Sequence, residues 1–531
     1  MLTDSQNKLN DISAFSSEKE KAYFNQLRNN FQKDYSKVFA DKLGLKTIVV
    51  IPSLTLDQEI LDKIDGIVHY EERLLCMLML LRMPRSHVIY VSSTVIDPVI
   101  IDYYLHLLPG ITGNHARKRL HLLSCYDASH KSLTEKILAR PRLIERIKNT
   151  IPDGHVAHMA CFNVTELERT LSVKLGIPLY GCDPDSLFWG TKSGSRQIFR
   201  EAGLHMPEGF ENLKTIKEIT ESLCKLKKKK PSLKRAVIKL NDGFSGDGNA
   251  IFLYPENAVE DLEKWIIENL ECKLKIVASK LSMEQFLEKF EMMGGIVEEF
   301  IDALVKVSPS VQCKIDPLGE IEIVSTHDQI MGGESDQVYQ GAIFPASHEY
   351  AVDLATLGRK IANNLKDKKI LGRFGIDFIS VKENNTCPDD PRLNDIVGQA
   401  VGRGWAHYPI EINLRKGGTT HPFLMLQFLT DGLYNEKDGK YYTSKGNLVR
   451  YYFCSDNLKS EKYKGLVPHD LIDIAMIHDL HYDGTSQEGV MFHLIGALSQ
   501  FGKLGVVCIG SSPERAKEFY EKIISVLDNE C

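Results

Sequence analysis

Residues 408–423 read YPIEINLRKGGTTHPF, and the alternation within them decides how the rest of the chain is read. Successive side chains of an extended strand face opposite ways. Ile410, Ile412 and Leu414 then share one face, while Glu411, Asn413 and Arg415 share the other. One face can bury and the other can work. A carboxylate and an amide oxygen ~7 Å apart along one strand can share hard cations, and an arginine one step further can clamp a phosphoryl group or a carboxylate. Upstream, RFGIDFISV (373–381) is a second apolar strand with Asp377 at its centre. A carboxylate there is costly unless it meets a cation or a donor, so Asp377, Glu411 and Asn413 are read as metal ligands.

Two further segments carry chemistry. RAVIKLNDGFSGDGNAIFLY (235–254) is a strand ending in Lys239, a loop with Gly243, Gly246 and Gly248, and a second strand. Glycines let backbone N–H groups close around phosphate oxygens, and a lysine adds a point charge. A nucleotide-binding Walker loop or dinucleotide fingerprint would lead into a helix, whereas here a strand follows. Protein kinases place their lysine after such a loop and carry H-R-D and D-F-G triplets that this chain lacks. Taken alone, the loop reads equally as a tight glycine hairpin. GGIVEEFI (294–301) is an apolar strand interrupted by Glu298 and Glu299.

Around this centre, residues 43–182 alternate strands (47–52, 87–93, 119–124, 158–162) with helical patterns (72–82, 97–108, 132–149, 164–175). Such alternation predicts a parallel sheet covered by helices, a Rossmann-like α/β domain without the dinucleotide glycines. Phe24, Leu27, Phe31, Tyr35 and Val38 recur at helical spacing in 18–40, an amphipathic helix that packs on the chain itself or on a partner. Helices are expected over Lys192 to Ala202 and through Ile216 to Leu226, and the basic stretch to Lys230 is read as a solvated connection. The last hundred residues read as a small α/β unit closed by a helix from Pro513 to Leu527. His478 and His481 lack a third ligand and are not read as a zinc site.

Composition bounds the function classes. The 531 residues allow three or four domains, and the net charge of −6 gives no general pull towards nucleic acid or anionic lipid. The longest apolar run, Leu74 to Leu81, is flanked by Glu71, Glu72, Arg73 and Arg82 and falls well short of the ~20 residues of a membrane helix. No secretory pattern opens the sequence, and the eleven cysteines show no C-x-x-C spacing. Reduced thiols and a cytoplasmic location are expected.

Lysine on a helix, lysine then glycine loop, V-E-E-F-I, an acid in a strand, then E-I-N-x-R: in this order the motifs resemble the ATP-grasp superfamily over about residues 183–425. More narrowly, LGIPLYGCDP (175–184), GTKSGSR (190–196), SPSVQ (308–312), STHDQIMGG (325–333) and EINLRKGGTTHP (411–422) are similar to the pheganomycin-type peptide ligases. After an N-terminal helical extension (1–42), the resemblance implies an α/β chain with a pre-ATP-grasp domain (43–182), a two-lobed ATP-grasp domain (183–430) and a C-terminal α/β domain (431–531). It implies ATP and Mg²⁺ as cofactors. Lys192 and Lys239 would contact phosphates, under a loop that includes Gly243, Phe244, Ser245, Gly246 and Gly248. The hinge Glu298, Glu299, Phe300 and Ile301 would meet adenine, with Asp302 nearest to the ribose. Lys239 and Arg415 would stabilise the transferred phosphoryl group. Substrate contacts would come from His327 and Gln329, and from Gly417, Gly418, Thr419 and His421.

The implied reaction joins a small-molecule or peptide carboxylate to an amine through an acyl phosphate. A small-molecule kinase and a non-catalytic ATP-binding protein are the alternatives. No nucleic-acid or membrane partner is expected, and a homodimer is left open.

Overall fold

The computed structural model describes residues 17–39, 41–56, 61–62, 64–243, 248–277, 281–332, 338–382 and 404–530. Runs of β-branched and aliphatic residues form β1 (Lys46–Ile51), β2 (Ser86–Ser92), β3 (Leu120–Ser124) and β4 (Val156–Cys161), paired in parallel in the order β3-β2-β1-β4. β1, β2 and β4 are almost wholly buried and carry the near-continuous apolar character of a covered parallel sheet, while the edge strand β3 leaves Leu122 exposed. The helices Pro98–His106 and Glu166–Leu175 fall where the spacing puts them, but 132–149 is two helices, Leu133–Leu138 and Pro141–Thr150. Pro141 explains the break: it cannot continue the first helix and suits the first turn of the next. The segment Ile67–Arg82 is wound as a 3-10 helix, not an α-helix. The helix Ser17–Asp34 buries Phe24, Leu27 and Phe31 against this same unit, Phe31 stacking on the His158 ring at 5.4 Å.

A second, antiparallel sheet follows. β5 (Gly209–Leu213), β6 (Arg235–Leu240), β7 (Asn249–Leu253), β8 (Leu274–Ile276) and β9 (Gly295–Glu299) are ordered β5-β9-β6-β7-β8. The helix Ile216–Lys229 opens on a capping box between Thr215 and Glu218. The basic stretch is not a free connection. Its first lysines extend this helix, and Lys230 pairs with the buried Glu299.

The third sheet has nine strands. β10 (Lys306–Val307), β11 (Pro309–Ile315), β12 (Ile321–Gly332), β13 (Val338–Phe344) and β14 (Gly372–Lys382) belong to it, and β15 (Trp405–Asn413) pairs with β14. Beyond a small hairpin, β16 (Leu433–Asn435) and β17 (Lys440–Tyr442), the chain returns through β18 (Tyr451–Lys459), β19 (Gly489–His493) and β20 (Lys503–Gly510). β18 pairs with β13, so these late strands extend the same sheet. The helix Pro513–Glu530 covers its end with Phe519, Ile523 and Leu527 buried. Among the described residues no helix is long and apolar enough to cross a membrane.

Candidate functional site

The second and third sheets face one cavity of about 1220 Å³, also walled by residues of the N-terminal unit and of β18 and β20. It exceeds the roughly 300–1,000 Å³ of an ordinary small-molecule site, so a nucleotide-sized ligand leaves room for another.

Asp377 on β14 and Glu411 on β15 are directly opposed in the strand register. Asn413 Nδ2 donates to Asp377 Oδ2 (2.8 Å) and to Glu411 Oε1 (3.0 Å), and Gln329 Nε2 donates to Asp377 Oδ1 (2.7 Å). Burial pushes the Asp377 carboxyl above its ordinary value, outweighing Lys192 and these donors. Two carboxylates and an amide with a convertible oxygen are the hard donors that Mg²⁺ or Ca²⁺ takes, so the set fits such an ion.

A bulge corrects one detail of the strand reading. Asp377 pairs with Glu411 but Phe378 pairs with Pro409, which leaves Ile410 as the extra residue. Ile412 and Leu414 are buried, whereas Ile410 lines the cavity beside Glu411.

Two lysines face these acids. Lys192 opens the helix Lys192–Glu201, capped by Thr191, whose hydroxyl accepts from the Gly194 N–H. Its ammonium meets Glu411, and burial together with Lys239 draws its pKa down to about 7. Lys239, at the end of β6, pairs with Glu298 at 2.5 Å, and Arg196 holds the other Glu298 oxygen at 2.9 Å. Glu298 therefore fixes Lys239 from behind. Gly243 and Gly248 also line the cavity, while Phe244, Ser245 and Gly246 lie outside the described residues.

The hinge forms the far wall. Glu299 donates its N–H to the Glu208 carbonyl (2.8 Å) and accepts the Glu208 N–H at its carboxylate (2.7 Å). Phe300 lies under the Arg235 guanidinium (4.0 Å), which pairs with Asp302. Ile301 and Asp302 line the cavity with them.

Arg415 follows β15, its N–H donating to the Asn413 carbonyl (2.8 Å), and it borders the cavity with Gly417, Gly418 and Thr419. Two expected substrate contacts fail. His327 is wholly buried on Tyr452 (2.8 Å) and does not line the cavity, because its position on β12 faces the core. His421 is equally buried in the helix Thr420–Thr430, 3.2 Å from Asp456. His478 pairs with Glu530 at 2.8 Å.

Other lining groups were not legible locally. Tyr70, Arg73 and Phe162 come from the N-terminal unit, Lys306 from β10, and Asp456 and Lys503 from β18 and β20. Arg73 stood out in sequence only as a charge flanking an apolar run.

Residues 186–254 and 255–390 match the family model described as IQCH-like, ATP-grasp, and residues 470–523 match the PGM1 C-terminal domain. Over 481 residues the chain is 26% identical to the L-propargylglycine–L-glutamate ligase of Streptantibioticus cattleyicolor, covering 88% of this chain and 92% of that protein. It is 25% identical over 384 residues to IQ motif-containing protein H of Danio rerio, covering 64% of this chain and 36% of that protein. Among solved structures it is similar to the biotin carboxylase domain of the Hydrogenobacter thermophilus 2-oxoglutarate carboxylase in complex with Mg-ADP, ADP and bicarbonate. The TM-score is 0.53 at 12% identity, with 90% of this chain and 89% of that chain covered. A Campylobacter jejuni biotin carboxylase–β,γ-ATP complex gives 0.51 at 13% identity, with 91% and 95% covered.

Proposed function

We propose that this chain is an ATP-grasp enzyme that binds Mg-ATP in the cavity and ligates a carboxylate to an amine, a reading supported by the family match over 186–390. The carrying observation is the convergence of Asp377, Glu411 and Asn413 with Lys192, Lys239 and Arg415 on one space. The 26% identical relative whose name is an amino-acid ligase favours this reaction over carboxylation.

The hinge from Glu298 to Asp302 receives the nucleoside, Asp302 lying nearest to the ribose. Lys192 and Lys239 hold the phosphates, beside Gly243, Gly248 and Asn249. Asp377, Glu411 and the Asn413 amide oxygen would hold the metal. When bound, Mg²⁺ withdraws charge from the phosphate oxygens. Arg415 stabilises the γ-phosphoryl group as a substrate carboxylate oxygen attacks phosphorus and ADP leaves. The resulting acyl phosphate is attacked at carbon by the amine. An amide forms, phosphate departs with the former carboxylate oxygen, and the nitrogen loses a proton to water. Gln329, Gly417, Gly418 and Thr419 border the space for the substrates.

The test supplies amino-acid pairs with the acid labelled by ¹⁸O in its carboxylate. Transfer of one labelled oxygen into phosphate is expected. ADP release with unlabelled phosphate contradicts the acyl-phosphate step.

A further inference from the structure

The cavity is also lined by Tyr70, Arg73, Phe162, Asp456 and Lys503, which the nucleotide reading does not use. Lys416 ties the chain to this group, its N–H donating to the Phe162 carbonyl at 3.0 Å. Arg415 lies within electrostatic reach of both Asp377 and Arg73.

Arg73 is only 8% exposed yet borders the cavity. Its guanidinium lies 4.2 Å from the Tyr70 ring centroid and 5.8 Å from that of Phe162, and Nη2 pairs with Asp456 Oδ2 at 2.9 Å. Nε is buried without a hydrogen-bond partner and Nη2 is engaged by Asp456. Lys503 stands 5.0 Å from the same Tyr70 centroid and donates to its hydroxyl at 2.7 Å. Two cations therefore flank one ring.

Asp456 is the single carboxylate of this group, and both of its oxygens are out of reach of a ligand. Its Oδ1 faces His421 Nε2 at 3.2 Å and His493 Nε2 at 3.6 Å. Burial works to raise this carboxyl, but His421 and Arg73 outweigh it and keep it ionised. The buried cluster thus fixes the angle of Arg73. Gly505 makes room for it, since a Cβ there would meet the His493 ring at 1.9 Å. A guanidinium held on an aromatic face by a sealed carboxylate is preorganised, and its charge suits an anion.

We infer that Arg73, with Lys503, binds a substrate carboxylate that the reaction does not consume. This rests on the ligase reading and narrows it: one of the two substrates is an amino acid, peptide or dicarboxylic acid with a second free carboxylate. His421, Asp456 and His493 are positioning residues acting through Arg73.

The test titrates the full chain, loaded with Mg²⁺ and a non-hydrolysable ATP analogue, with glutarate and with glutarate monoamide. Wild-type protein is expected to prefer glutarate by about 10- to 100-fold, the range of a charge-assisted hydrogen bond. Arg73→Gln should remove the preference while nucleotide affinity stays unchanged, and Arg73→Lys should restore part of it. Lys503→Met, which keeps the Arg73–Asp456 pair and so guards against a folding defect, should weaken glutarate several-fold. Equal binding of glutarate by wild type and Arg73→Gln, or no preference in wild type, overturns the inference. Glutarate competing with the acid substrate assigns the carboxylate to that partner, and competition with the amine assigns it to the other. Retained preference without acyl-phosphate formation would sink the ligase reading and leave this site standing.

Discussion

Glu411 and Asp377 face each other across β14 and β15, tied by one amide nitrogen of Asn413 that donates to both. Two half-buried carboxylates held this closely repel each other unless cations intervene. Glu411→Gln and Asp377→Asn are each expected to lower Mg-dependent ADP release by at least about 10²–10³-fold. Turnover at different Mg²⁺ concentrations checks this; full activity in either variant contradicts the ligand assignment.

Asp377 also gives a stability prediction. Its folded pKa is raised by burial, so the folded state binds more protons than the unfolded one above the ordinary carboxylate pKa. Stability is then lost as pH rises through that window. Asp377→Asn should raise the ligand-free melting temperature at pH 8, with the gain shrinking towards pH 4. A gain that does not depend on pH argues against the buried charge as its cause.

Lys192 makes nucleotide binding proton-linked. With its pKa drawn down to about 7, the ligand-free chain is largely unprotonated there at pH 8, and a polyphosphate raises the pKa again. Binding at pH 8 should take up about one proton, and at pH 6 almost none. Calorimetry in buffers of different ionisation enthalpy measures this, and Lys192→Met should abolish the uptake.

Arg415 is assigned to the moving phosphoryl group, not to the resting nucleotide. Arg415→Ala should lower kcat by about 10²–10³-fold with nucleotide affinity nearly unchanged. Lost affinity with unchanged kcat would reverse that role.

His327 lies in the core. His327→Ala should lower the melting temperature, because it leaves the buried Tyr452 hydroxyl without its partner, at a cost of about 1–3 kcal/mol. KM for both substrates should stay within about twofold. A selective rise in one KM would return His327 to the substrate site.

The working strand was legible because its chemistry repeats at the period of the backbone: Glu411, Asn413 and Arg415 alternate with residues that bury. Ile410 escaped this logic, since a bulge is set by the partner strand. His421 was misread because nearness in sequence to a working strand does not tell which way a helix turns. Arg73, Asp456 and Lys503 were invisible for a different reason. Arg73 lies hundreds of residues from the other two and meets them only where the N-terminal unit docks against β18 and β20. Local pattern finds what one element does, and docking decides what faces a shared space.

The most direct measurement is a crystal of the full chain grown with Mn²⁺ and a non-hydrolysable ATP analogue, with anomalous scattering used to locate the metal. An anomalous peak bridging Asp377 and Glu411, with the triphosphate reaching towards Lys192 and Lys239, is the predicted result. Manganese or triphosphate bound elsewhere, with no metal at the two carboxylates, would contradict the account.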